Sequence, residues 1–121
     1  MTTVLLDPED PTPPYQQLRR QLLDQIAGGR LAPGDRLPPV RQLAGDLGLA
    51  AGTVARVYRE LEVEGVLSTR RGAGTRVAES AADHIDRHAL LAHAVQVLLA
   101  RTGALGFSRE EVLDAVQDHP R

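Results

Sequence analysis

Val40-Arg41-Gln42-Leu43-Ala44-Gly45-Asp46-Leu47-Gly48-Leu49-Ala50-Ala51-Gly52-Thr53-Val54-Ala55-Arg56-Val57-Tyr58-Arg59-Glu60-Leu61 is the stretch on which the fold turns. Val40, Leu43, Ala44 and Leu47 recur at helical spacing, and after Gly48 and Leu49 a second set does the same: Val54, Val57, Tyr58 and Leu61. Two short helices joined by a tight Gly-containing turn are the sequence form of a helix-turn-helix. Ala44 is small where the helices must cross closely, and Gly48 can take the positive φ that a chain reversal needs. The competing reading is an αα-corner of any helical protein.

The flanks favour the first reading. Upstream, Thr12-Pro13-Pro14 reads as a helix start with a hydroxyl cap and prolines in the first turn. Tyr15, Leu18, Leu22 and Ile26, with Leu23 beside them, give that helix its apolar face, and Gly28-Gly29 stops it. Pro33-Gly34 is a turn, and Arg36-Leu37 is extended because Pro38 disfavours the α region before it. Downstream of Gly65, Val66-Leu67-Ser68-Thr69 reads as a strand, Arg70-Arg71-Gly72-Ala73-Gly74 as a turn, and Thr75-Arg76-Val77 as the returning strand. A hairpin placed straight after the second helix of such a pair is a wing. Gly72-Ala73-Gly74-Thr75 lacks the Lys and the following helix of a phosphate loop, so nucleotide binding is rejected.

A helix-turn-helix presents the N-terminal half of its second helix to the DNA major groove. At about 100° per residue, the side of that helix opposite its buried stripe carries Gly52, Arg56 and Arg59, with Thr53 at its flank. Arg56 and Arg59 therefore stand where base edges or phosphates would lie, and a bidentate Arg suits guanine O6 and N7. Thr53 lies in the first turn, where its hydroxyl and free backbone N–H groups suit a phosphate. Arg41 falls off its helix's buried stripe and reaches toward the groove edge. On the wing, Arg70, Arg71 and Arg76 accompany Gly72 and Gly74, which allow close backbone approach. For each Arg the competing reading is a solvated surface charge, paired for instance with Glu60, Glu62 or Glu64.

Net charge over the 121 residues is −2, which taken whole argues against a nucleic-acid binder. The distribution differs. Arg36 to Arg76 holds seven Arg against Asp46, Glu60, Glu62 and Glu64, a local +3, whereas four Arg face seven acids from Glu79 onward, a local −3. All 14 basic residues are Arg, whose planar fork suits phosphate and guanine. Aromatics make up 2%, so base stacking is an unpromising binding mode, and the lack of Cys excludes disulfides and thiolate chemistry. No Ser/His/Asp or paired-carboxylate arrangement stands out, so neither catalytic residues nor a cofactor are expected. His84 and His88 are four apart, but no third ligand is evident beyond Asp83, and no metal site is expected.

Together these stretches resemble the winged-helix domain of GntR-family transcription regulators. The resemblance rests on Tyr15-Gln16-Gln17-Leu18, Gly29-Arg30-Leu31-Ala32-Pro33-Gly34-Asp35-Arg36-Leu37-Pro38 and Arg41-Gln42-Leu43-Ala44. It continues through Leu47-Gly48-Leu49, Thr53-Val54, Tyr58-Arg59-Glu60-Leu61-Glu62, Glu64-Gly65-Val66-Leu67 and Gly72-Ala73-Gly74-Thr75-Arg76-Val77. It implies DNA contacts from Arg41, the first turn of the second helix and Gly72. The chain departs from the family pattern at Pro39, where Ser is common, and at Ala50-Ala51-Gly52, where Ser/Thr-Arg is common. Without an Arg at position 51, Arg56 carries more of the recognition.

Residues 1–12 read as a flexible lead-in, 13–78 as the winged helix-turn-helix DNA-binding domain, and 79–121 as a helical dimerisation tail. The expected fold is mainly α with a small β-hairpin. In the tail, residues 81–101 form one helical run with Ile85, Ala89, Ala92, Val95 and Leu99 in a stripe. Ser108-Arg109-Glu110-Glu111 is a capping box opening a further helix with Val112, Leu113 and Val116. So much aliphatic surface on a two-helix tail calls for a second copy, which predicts a homodimer on a palindromic double-stranded DNA operator. The short tail resembles the YtrA-type branch of the family, and the resemblance implies a repressor while leaving a small-molecule effector open. The alternative from another class is a winged-helix module that binds protein without specific DNA binding. The Ala94–Ala100 run is broken by Gln96 and too short for a bilayer, and the N-terminus has no basic start or apolar stretch, so a cytoplasmic protein without membrane contact is expected.

Overall fold

The computed structural model describes residues 4–121, and the first three residues of the expected lead-in lie outside them. The chain divides into two compact units, at Ile85/Asp86. The first carries α1 (Pro14–Ala27), α2 (Val40–Leu47), α3 (Ala51–Val63), β1 (Leu67–Arg70), β2 (Gly74–Val77) and a single 3-10 turn, Ala81–His84. The second carries α4 (Arg87–Ala104) and α5 (Arg109–Asp118). Mainly helical with one antiparallel hairpin, this is the expected winged helix-turn-helix followed by a two-helix tail.

Leu18, Leu22 and Ile26 of α1 are buried against Val54, Val57, Tyr58 and Leu61 of α3 and Leu43 and Ala44 of α2, the three stripes the spacing picked out. Each fully buried Leu contributes roughly 1.5–3 kcal/mol, and α3, packed against both α1 and α2, is held at its angle by this shared core. Gly48 (φ 67°) closes α2 in the left-handed conformation, with the Leu49 N–H bonded to the Ala44 carbonyl at 2.9 Å. Gly65 (φ 86°) does the same after α3: its own N–H reaches Glu62 O at 3.1 Å, and that of Val66 reaches Leu61 O at 2.9 Å. The Tyr58 hydroxyl, pushed up to about 12 by burial, donates to the Pro38 carbonyl at 2.7 Å and ties α3 to the entrance of α2.

The wing has three hydrogen-bonded segments. β1 and β2 pair Leu67 with Val77, Ser68 with Arg76, Thr69 with Thr75 and Arg70 with Gly74. Residues 34–37 bond to the outer edge of β2 through Leu37 N to Thr75 O (2.8 Å), Val77 N to Asp35 O (2.9 Å) and Gly34 N to Val77 O (2.8 Å). The extended Arg36-Leu37 segment is thus the wing's third partner, with Leu37, Leu67 and Val77 all buried.

Local details depart from expectation. α1 begins after Pro13, one residue later than a Thr12 cap requires, so no side chain caps it; the Thr12 carbonyl instead accepts from Gln17 Nε2 at 2.8 Å. Within residues 4–12, read as a flexible lead-in, Leu5, Asp7 and Thr12 are hydrogen-bonded to α1. Gln17 accepts from the Asp7 N–H (2.8 Å) and donates to the Asp7 carbonyl (3.1 Å), Gln21 bonds both backbone groups of Leu5, and Val4 joins the core. The single helix expected over 81–101 is broken. Ala81 and Ile85 pack with the first unit's core, and Asp86 caps a new helix by accepting from the Ala89 N–H at 3.0 Å. That helix runs through Gly103 to Ala104. The capping box at α5 is present, with Ser108 N to Glu111 Oε1 at 3.0 Å and Glu111 N to Ser108 Oγ at 3.1 Å.

Candidate nucleic-acid interface

On the helix pair, Arg41 in the first turn of α2 and Arg59 in α3 are exposed, and their side chains make no hydrogen bond or ion pair among the described residues. Gly52 is exposed, and a Cβ added there would meet nothing within 4 Å. Thr53 is half-buried, and its N–H bonds to the Ala50 carbonyl at 3.0 Å. Thr53 therefore offers a ligand its hydroxyl but not its amide. No side chain caps α3, because Ala50 stands at the N-cap.

Arg56 is the exception on this helix. Its Nε donates to Glu60 Oε2 at 3.3 Å, and its Cζ lies 4.1 Å over the centroid of the Tyr15 ring, from the first turn of α1. The competing reading of a paired surface charge therefore applies to its Nε edge, although the side chain keeps 56% of its exposure. Glu62 and Glu64 find other partners. Glu64 forms a 2.7 Å ion pair with Arg19 that braces α3 to α1, and Glu62 accepts from Thr69 Oγ1 at 2.9 Å, joining the end of α3 to the wing.

At the wing tip Arg70 and Arg71 are exposed, and their guanidinium groups again have no partner among the described residues. Gly72 (φ 82°) carries the turn, closed by Ala73 N to Arg70 O at 3.0 Å, and the space beside it is open. Arg76, grouped with the tip from sequence, sits lower on the hairpin, and its Nη1 donates to the Gly34 carbonyl at 3.1 Å. Sequence reasoning also passed over Arg36. Its guanidinium lies across Gly74, where a Cβ would come within 3.1 Å of Nε, which places another cation against the hairpin. The signal available was Gly74 itself, since a strand Gly often marks a close approach.

Among the described residues no three His, Cys, Asp or Glu side chains are grouped so as to hold a metal ion. His84 lies over Gly65, 2.8 Å from where a Cβ would be. In the second unit Val112 is buried, while Leu91, Leu98, Phe107, Leu113 and Val116 are exposed. Leu98, Phe107, Val112 and Val116 line a groove of about 810 Å³ between α4 and α5. Among the described residues no single helix is long and apolar enough to cross a membrane.

Residues 14–77 match the family described as bacterial regulatory proteins, gntR family. The chain is 43% identical over 101 residues to the HTH-type transcriptional regulator Rv1152 of Mycobacterium tuberculosis, covering 84% of this chain and 80% of that one. It is 41% identical over 78 residues to the HTH-type transcriptional repressor YtrA of Bacillus subtilis, covering 64% of this chain and 60% of the repressor. Among solved structures, a GntR family transcriptional regulator from Listeria monocytogenes aligns with a TM-score of 0.67 at 25% identity. That alignment covers 93% of this chain and 99% of the other.

Proposed function

From a chain that belongs to the gntR family of bacterial regulatory proteins, and is therefore a DNA-binding regulator of transcription and not an enzyme, we propose a homodimeric repressor that reads a palindromic operator. The observation that carries the reading is the set of guanidinium groups left without a protein partner, Arg41 and Arg59 on the helix pair and Arg70 and Arg71 on the wing. Arginines in such positions neutralise phosphates and read guanine edges. Arg59 faces the groove floor, with Arg41 and the Thr53 hydroxyl on the flanking backbone. The wing tip, with Gly72 allowing close approach, follows the adjacent strand.

The second copy is argued from the tail. Leu91 at 63%, Leu113 at 52% and Val116 at 59% exposure are apolar side chains of one short helical unit. So many exposed apolar side chains on two short helices favour an interface, and a twofold pair of tails matches two half-sites about one DNA turn apart. Repression is supported by the likeness to the Bacillus subtilis repressor, and the cytoplasm is where the operator is found.

Selection from a pool of random-sequence duplexes with the full chain tests this. Two half-sites related by a twofold axis should be enriched, and sedimentation should give a dimer that Leu98→Glu dissociates. No enriched sequence would overturn the reading; one isolated half-site bound by a monomer would overturn its dimeric form.

A further inference from the structure

Arg56 is held from two sides by groups that belong to different helices. The Tyr15 ring from α1 lies 4.1 Å beneath Cζ, and Glu60, one turn along α3, takes Nε at 3.3 Å. The terminal nitrogens Nη1 and Nη2 make no hydrogen bond among the described residues, and the side chain is still half open to solvent. We infer that Tyr15 and Glu60 are positioning residues that pre-set Arg56 so that its terminal fork alone faces a base edge, making α1 a determinant of sequence preference. This rests on the proposed reading of DNA by α3.

An Arg side chain is long and rich in rotamers, and ordering it at the moment of binding opposes the contact it makes. A ring stacked on one side and a carboxylate on the inner edge remove most of that freedom beforehand. They also leave the two parallel donors that guanine O6 and N7 accept. The acid is informative. A carboxylate beside a phosphate-lined groove weakens general attraction, so Glu60 lowers affinity for every sequence while steering Arg56 toward one. The Tyr15 hydroxyl is occupied at the ring's edge by Gln16 Nε2 at 3.1 Å, so the ring face and not the hydroxyl carries the effect.

The test uses full-chain variants, the duplex selected by the wild type, its single-base-pair variants and a random-sequence duplex. Arg56→Ala should abolish discrimination at one base pair. Tyr15→Leu should lower discrimination there roughly two- to fivefold, the size of an exposed cation–π contact, with affinity for random duplex unchanged. Tyr15→Phe should behave as wild type, and Tyr15→Leu should change nothing in the Arg56→Ala background. Glu60→Gln should raise random-duplex affinity and lower discrimination at the same base pair. An equal Tyr15→Leu effect with and without Arg56, or sharper discrimination in Tyr15→Leu, overturns the inference. So does uniform weakening by Arg56→Ala, which leaves DNA reading itself intact; a wild type that selects no sequence removes the proposed function instead.

Discussion

Gly65→Ala isolates the join between α3 and the wing. At φ 86° an L-residue is strained, which costs roughly 1–2 kcal/mol. Reduced freedom of the unfolded chain offsets about 0.4–1 kcal/mol of that. The added Cβ would also stand 2.8 Å from His84 Cδ2 and 3.0 Å from Cγ and Nε2, so the ring or the 3-10 turn carrying it must move. Gly48→Ala is the control, with φ 67° and nothing within 4 Å of its Cβ, so strain acts there alone. We expect Gly48→Ala to cost about 1 kcal/mol and Gly65→Ala about 2 kcal/mol, the difference being the His84 contact. His84→Ala should bring the cost of Gly65→Ala down to that of Gly48→Ala. Both tyrosines, Tyr15 and Tyr58, lie in the first unit, so urea unfolding followed by tyrosine fluorescence reports that unit. Measurements are compared at one protein concentration, because association shifts apparent stability. Equal costs for Gly65→Ala with and without His84, or a neutral Gly65→Ala, would refute the reasoning.

Further outcomes follow from the same contacts. The folded unit holds the Tyr58 proton more tightly than the unfolded chain does, since burial raises its pKa from 10.0 to about 12. That stabilisation is complete below pH 10 and is lost as pH rises from 10 to 12, at up to about 1.4 kcal/mol per pH unit. Tyr58→Phe should lack this alkaline loss, while giving up about 1 kcal/mol at neutral pH with its bond to Pro38; denaturation midpoints between pH 7 and about pH 11 measure both. On the wing, Arg70→Ala and Arg71→Ala should each weaken binding to all duplexes alike and reduce the salt slope by about one. A titration showing a change at one base pair only would instead place that side chain on a base edge.

What was legible from sequence follows from the range of the forces involved. The α2–α3 pair, Gly48 and the Ser108–Glu111 capping box are local arrangements, set by periodicity and by one residue's conformation, and they appear where the residues indicated. The hairpin likewise follows from its strand and turn residues. Long-range amide bonds leave no such trace. Gln17 and Gln21 could have been solvated polar residues on α1, yet they hold the Asp7 and Leu5 backbone. The break before α4 was hidden for another reason. Ile85 continues the apolar spacing of the helix beyond it, so periodicity crosses the boundary, and only the Asp86 cap marks where the helix restarts. At the proposed interface, Arg41, Arg59, Arg70 and Arg71 are exposed, as expected of residues off the buried stripes and on the hairpin turn. Arg56 differs because its partner Tyr15 comes from α1, and a charge pattern along α3 alone carries no information about the helix packed beside it.

The exposed arginines of the helix pair and wing are proposed to bind DNA phosphates while reading its sequence. The affinity of the full chain for its selected duplex, measured from 50 to 200 mM salt, tests that most directly. Six to ten phosphate contacts predict a fall of about 10³–10⁵ across that range. A flat response would show that these arginines do not neutralise phosphates and would assign the surface to a protein partner.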